Sequence, residues 1–226
     1  MRYGALTMLP LAAGAAVYGF AFGLLAAQVG FPWWAVATMS ALVHAGSSQI
    51  VAVEQFSESS AVLGAALAGA ALNLRYIGII ATLSEILSEL SLRMKLFSIH
   101  IAGDENWALL MAERTKNPEI GVGFLIGSGL VMLVTWTSST TLGAVAGATL
   151  PNLEQFGLGF AFTAAFIAMA RGMWRSSANL FPWIASFVVT ICAVSLGLPN
   201  AYAIVAGAIG GLTISRIVRS KRKHEE

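Results

Sequence analysis

Apolar residues run in long blocks along this chain, and polar residues gather in a few short gaps between them. Seven apolar segments can be marked, at about 5–27, 33–53, 61–83, 120–142, 158–170, 183–196 and 201–218. A helix rising 1.5 Å per residue needs about 20 residues to cross the hydrocarbon of a bilayer. Five segments approach or exceed that length. The fifth and sixth fall short, which fits half-helices, a tilted pair or a re-entrant unit shielded by neighbours. The pattern predicts an all-α integral membrane protein: a bundle of six to seven transmembrane segments with broken or short helices, in one transmembrane domain over 1–226.

The polar stretch between the third and fourth segments has a different period. Leu83, Leu87, Leu90, Met94, Phe97 and Ile101 recur at steps of four and three, with Ser84, Glu85, Ser88, Glu89, Arg93 and Lys95 between them. That spacing predicts an amphipathic helix in the interface, within a cytoplasmic segment of about 84–118.

Composition agrees with a lipid solvent. Of 226 residues, 57% are hydrophobic and 11% charged, with a mean hydropathy of +0.77; a soluble domain carries about a quarter charged residues. The first apolar block is too long for a signal-peptide core and reads as a span. Basic residues set the orientation. Arg93, Lys95, Arg114 and Lys116 follow the third segment, Arg171 and Arg175 the fifth, and Arg216, Arg219, Lys221, Arg222 and Lys223 the seventh, whereas the gaps after even-numbered segments hold Glu54, Glu58 and Glu154. With seven crossings the clusters share the cytoplasmic side. The basic tail 216–226 is then cytoplasmic and the N-terminus faces outward, with Arg2 dissenting. Cys192 cannot form an intrachain disulfide and reads as a buried hydrophobe.

Several polar groups sit at membrane depth, where each needs a partner or water. Gly14, Gly19 and Gly23 in the first span permit close helix packing or a break. In the second, Ser40, His44, Ser47, Ser48 and Gln55 share one helical face, while Gln49 points elsewhere. Gly46 and its serines offer a place to unwind, which would turn Gln49 toward a cavity and free backbone groups for a polar ligand. Gly46, Ser47, Ser48, Gln49 and, in the third span, Asn73 are the candidate substrate-binding residues. Ordinary hydrogen bonding between helices is the alternative. Ala61, Ala65, Gly69 and Asn73 form a small-residue stripe. Arg75 either snorkels to headgroups or pairs with a carboxylate such as Asp104 or Glu105, and those two acids also suit a helix N-terminus. Thr135, Thr137, Ser138, Ser139, Thr140 and Thr141 either line a hydrated path or bond back to their own helix. His44, Arg75, Asp104 and Glu105 are the candidate coupling or gating residues.

No nucleophile elbow, H-E-x-x-H, P-loop or Cys/His cluster occurs, and His44, His100 and His224 show no shared metal spacing. An enzyme, a cofactor and a nucleic-acid partner are not expected. A secondary transporter is the leading function, a passive channel for a small polar solute the alternative, and a membrane scaffold the remaining one.

The chain resembles the AzlC family, the large subunits of bacterial branched-chain amino acid exporters. The resemblance rests on Gly19-Phe20-Ala21-Phe22-Gly23, on Met39-Ser40-Ala41-Leu42-Val43-His44-Ala45-Gly46-Ser47-Ser48-Gln49, on Asn73-Leu74-Arg75-Tyr76, and on Asp104-Glu105-Asn106-Trp107-Ala108-Leu109. It implies export of leucine, isoleucine, valine and also methionine without ATP hydrolysis, driven by the proton-motive force. It also implies a bacterial inner-membrane location and a small hydrophobic partner resembling AzlD. Two positions depart from the family pattern. His44 stands where an apolar or aromatic residue is usual, and Gly159 before Phe160 stands where an acid is expected. His44, with an ordinary pKa near 6.5, is then the substitute for proton coupling.

Overall fold

The computed structural model describes residues 1–59, 61–149 and 180–225. The fifth apolar segment, Arg171, Arg175, Glu154 and Gly159 lie outside them. The described residues form ten α-helices and no strand: α1 Arg2–Gln28, α2 Trp33–Val43, α3 Gly46–Ser59, α4 Val62–Asn73, α5 Arg75–Leu87, α6 Leu92–His100, α7 Asp104–Lys116, α8 Val122–Gly147, α9 Leu180–Ser195 and α10 Asn200–Glu225. Large apolar side chains such as Val17, Trp34, Leu42, Leu67, Val134 and Phe187 are exposed, while Ser40, Ser48, Gln49, Asn106, Ser128 and Thr140 are buried. Many large apolar side chains outward and several polar ones inward suit a lipid surround. The chain is an all-α membrane protein.

Helices α1 and α8 are each long enough to cross a bilayer, at 27 and 26 residues, or about 40 Å. Their packing depends on absent side chains. A Cβ at Gly4 would meet the backbone of Phe124, one at Gly23 the backbone of Thr140 and Ala144, one at Gly143 the backbone of Phe20, and one at Gly147 the backbone of Leu24. Gly19 likewise lies against Trp136, Ser139 and Thr140. Gly4, Gly19 and Gly23 therefore serve close packing, and α1 is unbroken. Residue numbers rise together along this seam, so α1 and α8 run parallel.

Parallel packing corrects the expected topology. Opposite faces of the bilayer require an odd number of crossings between two parallel spans, and the structure supplies one. Helix α2 leaves the face where α1 ends, and its 11 residues reach about 16 Å, half the hydrocarbon. The chain turns at His44, and α3 returns to the same face, where Phe56 packs edge-on against Phe31 at 5.2 Å. The second apolar segment is thus a re-entrant hairpin rather than a crossing. His44 makes its turn with φ 45° and ψ 42°, and it is the one non-glycine residue with positive φ among the described residues. For an L-residue that conformation costs about 1–2 kcal/mol.

Helices α4 and α5 make the crossing together, bent by 41° at Leu74. The Ala65–Gly69–Asn73 stripe of α4 faces α3, with Gly69 against Ser48 and Ala52. The single amphipathic helix expected over 83–101 is instead interrupted at 88–91, and α6 turns back. It ends at Ile101, whose carbonyl sits against Gly129, about two turns into α8. Helix α7 then descends alongside α5, with Trp107 Nε1 donating to Thr82 Oγ1 at 2.7 Å. The segment 84–118 is therefore a second re-entrant hairpin and not a flat interfacial helix. Each crossing, α1 and then α4–α5, is followed by a hairpin entering from the face that the crossing has just reached. This is an inverted two-fold arrangement, in a different register from a division after the third segment.

At the face where α1 and α8 begin, Tyr3 Oη donates to Glu113 Oε2 at 2.6 Å and Lys116 Nζ pairs with Glu113 Oε1 at 2.6 Å. The Lys116 ammonium and the Tyr3 hydroxyl hold the Glu113 carboxyl below its usual range. The first residues thus share a face with Arg114 and Lys116, and Arg2 joins the basic residues instead of dissenting from them. Helices α9 and α10 form an antiparallel pair, with Gly207 against Ser186 and Thr190 and Gly211 against Pro182 and Ser186, and α10 rests on α4.

Two tests follow from this topology. In a Cys192→Ser background, cysteines at Arg2 and Asn117 should react with an impermeant maleimide from one face and a cysteine at Gly30 from the other; labelling of Arg2→Cys and Asn117→Cys from opposite faces would refute the parallel seam. Gly23→Val should lower the thermal midpoint in detergent through a backbone collision costing about 1–3 kcal/mol or more. Gly14→Ala, where a Cβ meets nothing within 4 Å, should leave the midpoint unchanged.

Candidate functional site

Three interruptions of helix meet at one place. They are the apex of the first hairpin at His44, the bend between α4 and α5 at Leu74, and the apex of the second hairpin at 101–103. A broken helix leaves N–H and C=O groups without intrahelical partners, and in hydrocarbon each must be satisfied by protein, water or ligand.

Two buried amides hold the apices open. Gln49, in the first turn of α3, donates through Nε2 to Ser40 Oγ of α2 at 3.1 Å and accepts from Trp136 Nε1 of α8 at 2.8 Å. Thr140 Oγ1 also donates to Ser40 Oγ, at 2.8 Å. Asn106, in the first turn of α7, accepts from the Gly103 amide at 2.6 Å and donates to the Ile101 carbonyl at 3.0 Å. Its Nδ2 also reaches the Leu125 carbonyl of α8 at 3.5 Å. Each amide thus bonds back toward the first arm of its own hairpin and sideways to α8. Gln49 is 1% exposed and Asn106 0%, so each lies inside the protein and ties its own hairpin to α8.

The remaining polar groups surround the space between the apices. Arg75, the first residue of α5, donates from Nη1 to Ser47 Oγ at 2.7 Å and pairs through Nη2 with Asp104 Oδ2 at 2.9 Å. The Tyr76 ring lies under its guanidinium, 5.4 Å from Cζ. Of the two roles open to Arg75, snorkelling or pairing, the structure has the pairing, with Asp104 as partner. Ser48 Oγ donates to Asn73 Oδ1 at 2.5 Å. Gly46 lies against the edge of the Trp136 indole, where a Cβ would collide. Glu105, next to Asp104, is exposed. The Arg75 and Asp104 side chains keep 33% and 46% of their surface open.

His44 faces this region from the first apex. It is 7% exposed, and neither ring nitrogen has a hydrogen-bond partner among the described residues. Its Nε2 lies 3.9 Å from where a Cβ of Gly103 would stand, so the two apices touch. Arg75 Nε and Thr137 Oγ1 are likewise buried without a hydrogen bond among the described residues.

Of the candidate residues, Ser47, Arg75 and Asp104 come into direct contact, Ser48 joins Asn73, and His44 meets the second apex. Gln49 bonds to Ser40 and Trp136. Asn106 and Trp136 were not candidates; the signal for Trp136 was a single indole within the hydroxyl run of α8. In that run Ser138, Ser139 and Thr141 donate to carbonyls one turn back, and Thr140 reaches Ser40 of α2.

A profile described as AzlC protein matches residues 10–150 of this chain, more than half of it. A protein of Helicobacter pylori strain J99, named only as an uncharacterized membrane protein, is 22% identical over 185 residues, 81% of this chain and 80% of its own. A protein of Archaeoglobus fulgidus with the same name is 32% identical over 149 residues, 66% and 64% of the two chains. No solved structure matches.

Trp136→Phe keeps the ring and removes the donor to Gln49, leaving a buried carbonyl unpaired. It should cost about 1–3 kcal/mol, read as a lowered thermal midpoint in detergent; an unchanged midpoint would show that Gln49 does not hold the first hairpin.

Proposed function

Because this chain belongs to the AzlC family, we propose that its membrane-transport function is secondary export of branched-chain amino acids. In this reading it is the large permease subunit, carrying leucine, isoleucine, valine and methionine outward across a bacterial inner membrane on the proton-motive force. It works beside a small hydrophobic subunit resembling AzlD, and its basic C-terminal tail lies in the cytoplasm. It is not an enzyme.

The observation that carries this reading is the meeting of two re-entrant apices beside the Arg75–Asp104 pair. Half-helices whose N-termini converge inside a membrane suit polar or charged groups of a solute. Fixed charges at that depth are expensive in a protein that merely fills space. An amino acid with an apolar side chain needs both a polar locus for its head and aliphatic surface for the rest. Phe22, Val36, Ile50 and Val53 pack around Trp136 on the α1–α2–α3 side of the apices and form an apolar core beside the polar locus. A passive pore finds less support, because Ser138, Ser139 and Thr141 bond to carbonyls of their own helix. His44 is the proton-coupling group on this reading: it is titratable, turned toward the second apex, and held by no hydrogen bond among the described residues.

Purified chain in proteoliposomes, with and without the small subunit, should show saturable leucine flux that collapses with a protonophore. Flux that never saturates and ignores the gradient would replace the exporter with a channel. His44→Gln should flatten the pH dependence of flux, and an unchanged profile at wild-type expression would remove His44 from coupling.

A further inference from the structure

We propose that Arg75 and Asp104 form an exchangeable ion pair, which opens to receive a zwitterion and re-forms when the zwitterion leaves. The inference rests on the transport reading above and assigns atoms to it. Arg75 is held on one side by Ser47, in the first turn of α3, and on the other by Asp104, the first residue of α7. A carboxylate arriving between them can take the place of Asp104 on the guanidinium. There it meets the Ser47 hydroxyl and the positive end of α3, whose first amides have no intrahelical acceptor. The ammonium of the same molecule then takes the place of Arg75 at Asp104, with Glu105 beside it. The geometry sets the order: positive end at the α7 apex, negative end at the α3 apex.

Charge conservation favours this exchange. With the pair closed, each charge has its opposite. With a zwitterion bound, each still has one, so no net charge enters the low-dielectric interior. A ligand bearing only an anion would leave Asp104 unpartnered, and one bearing only a cation would strand Arg75, so each leaves a charge without its opposite. The unoccupied donor at Arg75 Nε and both unpartnered ring nitrogens of His44, at 7% exposure beside the N-cap of α7, show polar capacity that the protein itself does not use among the described residues. The 33% and 46% openness of the two charged side chains provides access.

The test compares leucine with two single-charge analogues, leucinamide and 4-methylpentanoate, as competitors of leucine flux in proteoliposomes of the full chain with its small subunit. Leucine should outcompete each analogue by about 100-fold or more. Arg75→Gln should raise KM for leucine by about 30-fold or more with a smaller change in kcat, and Arg75→Lys should recover part of the loss. Single variants strand a charge and could fail to accumulate. The double variant Arg75→Gln/Asp104→Asn strands none; it should accumulate, bind leucine weakly and lose its discrimination against both analogues. Wild-type competition by either analogue, or a double variant with KM within about 3-fold of wild type, would overturn the exchange while leaving amino acid export standing. Absence of leucine flux in the wild type would overturn both.

Discussion

Backbone in lipid must find its hydrogen bonds within the protein, and everything distinctive in this fold follows from breaking that rule at mid-depth and repairing it. An unbroken helix satisfies itself. Here the chain stops being helical at His44, Leu74 and 101–103, and each stop exposes groups that hydrocarbon will not tolerate. Gln49 and Asn106 absorb part of that deficit, each an amide one turn into the returning helix, each tied to α8. Their common placement in two hairpins of opposite direction indicates one solution used twice. What they leave unsatisfied is concentrated between the apices, where Arg75, Asp104 and His44 stand.

Helix α8 is the frame for this arrangement. Its glycines admit α1 along one side, Trp136 and Thr140 receive the first hairpin, and Gly129 with the Leu125 carbonyl receives the second. The glycine seam with α1 is close because backbone meets backbone, which lets two long helices act as a stiff wall. Against that wall the first hairpin is held by Gln49 and Ser40 and the second by Asn106.

Much of this was legible beforehand. Hydropathy and charge were enough for a multi-pass helical membrane protein, because the solvent acts on every residue and leaves its mark locally. The break in the second segment was readable from Gly46 and its serines, and the pairing of Arg75 with a carboxylate was one of two open readings. The face of the α4 stripe followed from its four-residue period. Less legible was the turn itself, which falls on His44, two residues before the glycine, at a positive φ that an L-residue adopts only when its surroundings impose it. The polarity of Gln49 at depth is visible in sequence, whereas its partners, Ser40 and Trp136, lie nine and 87 residues away and are not.

The direction of the chain was decided by tertiary contacts alone. An apolar run of 21 residues reads the same whether it crosses or enters and returns, since hydropathy records depth and not heading. Counting it as a crossing placed the N-terminus opposite the basic residues; the parallel seam of α1 and α8 places Arg2 among them. The 83–101 stripe likewise carries the period of a surface helix, and only contacts of Ile101 and Asn106 with α8 reveal a hairpin entering the bundle. Local sequence determined which residues prefer lipid and where helices break. Which face each break belongs to, and that all three meet, came from the packing of distant glycines and amides, because a one-dimensional pattern carries no record of what lies beside it.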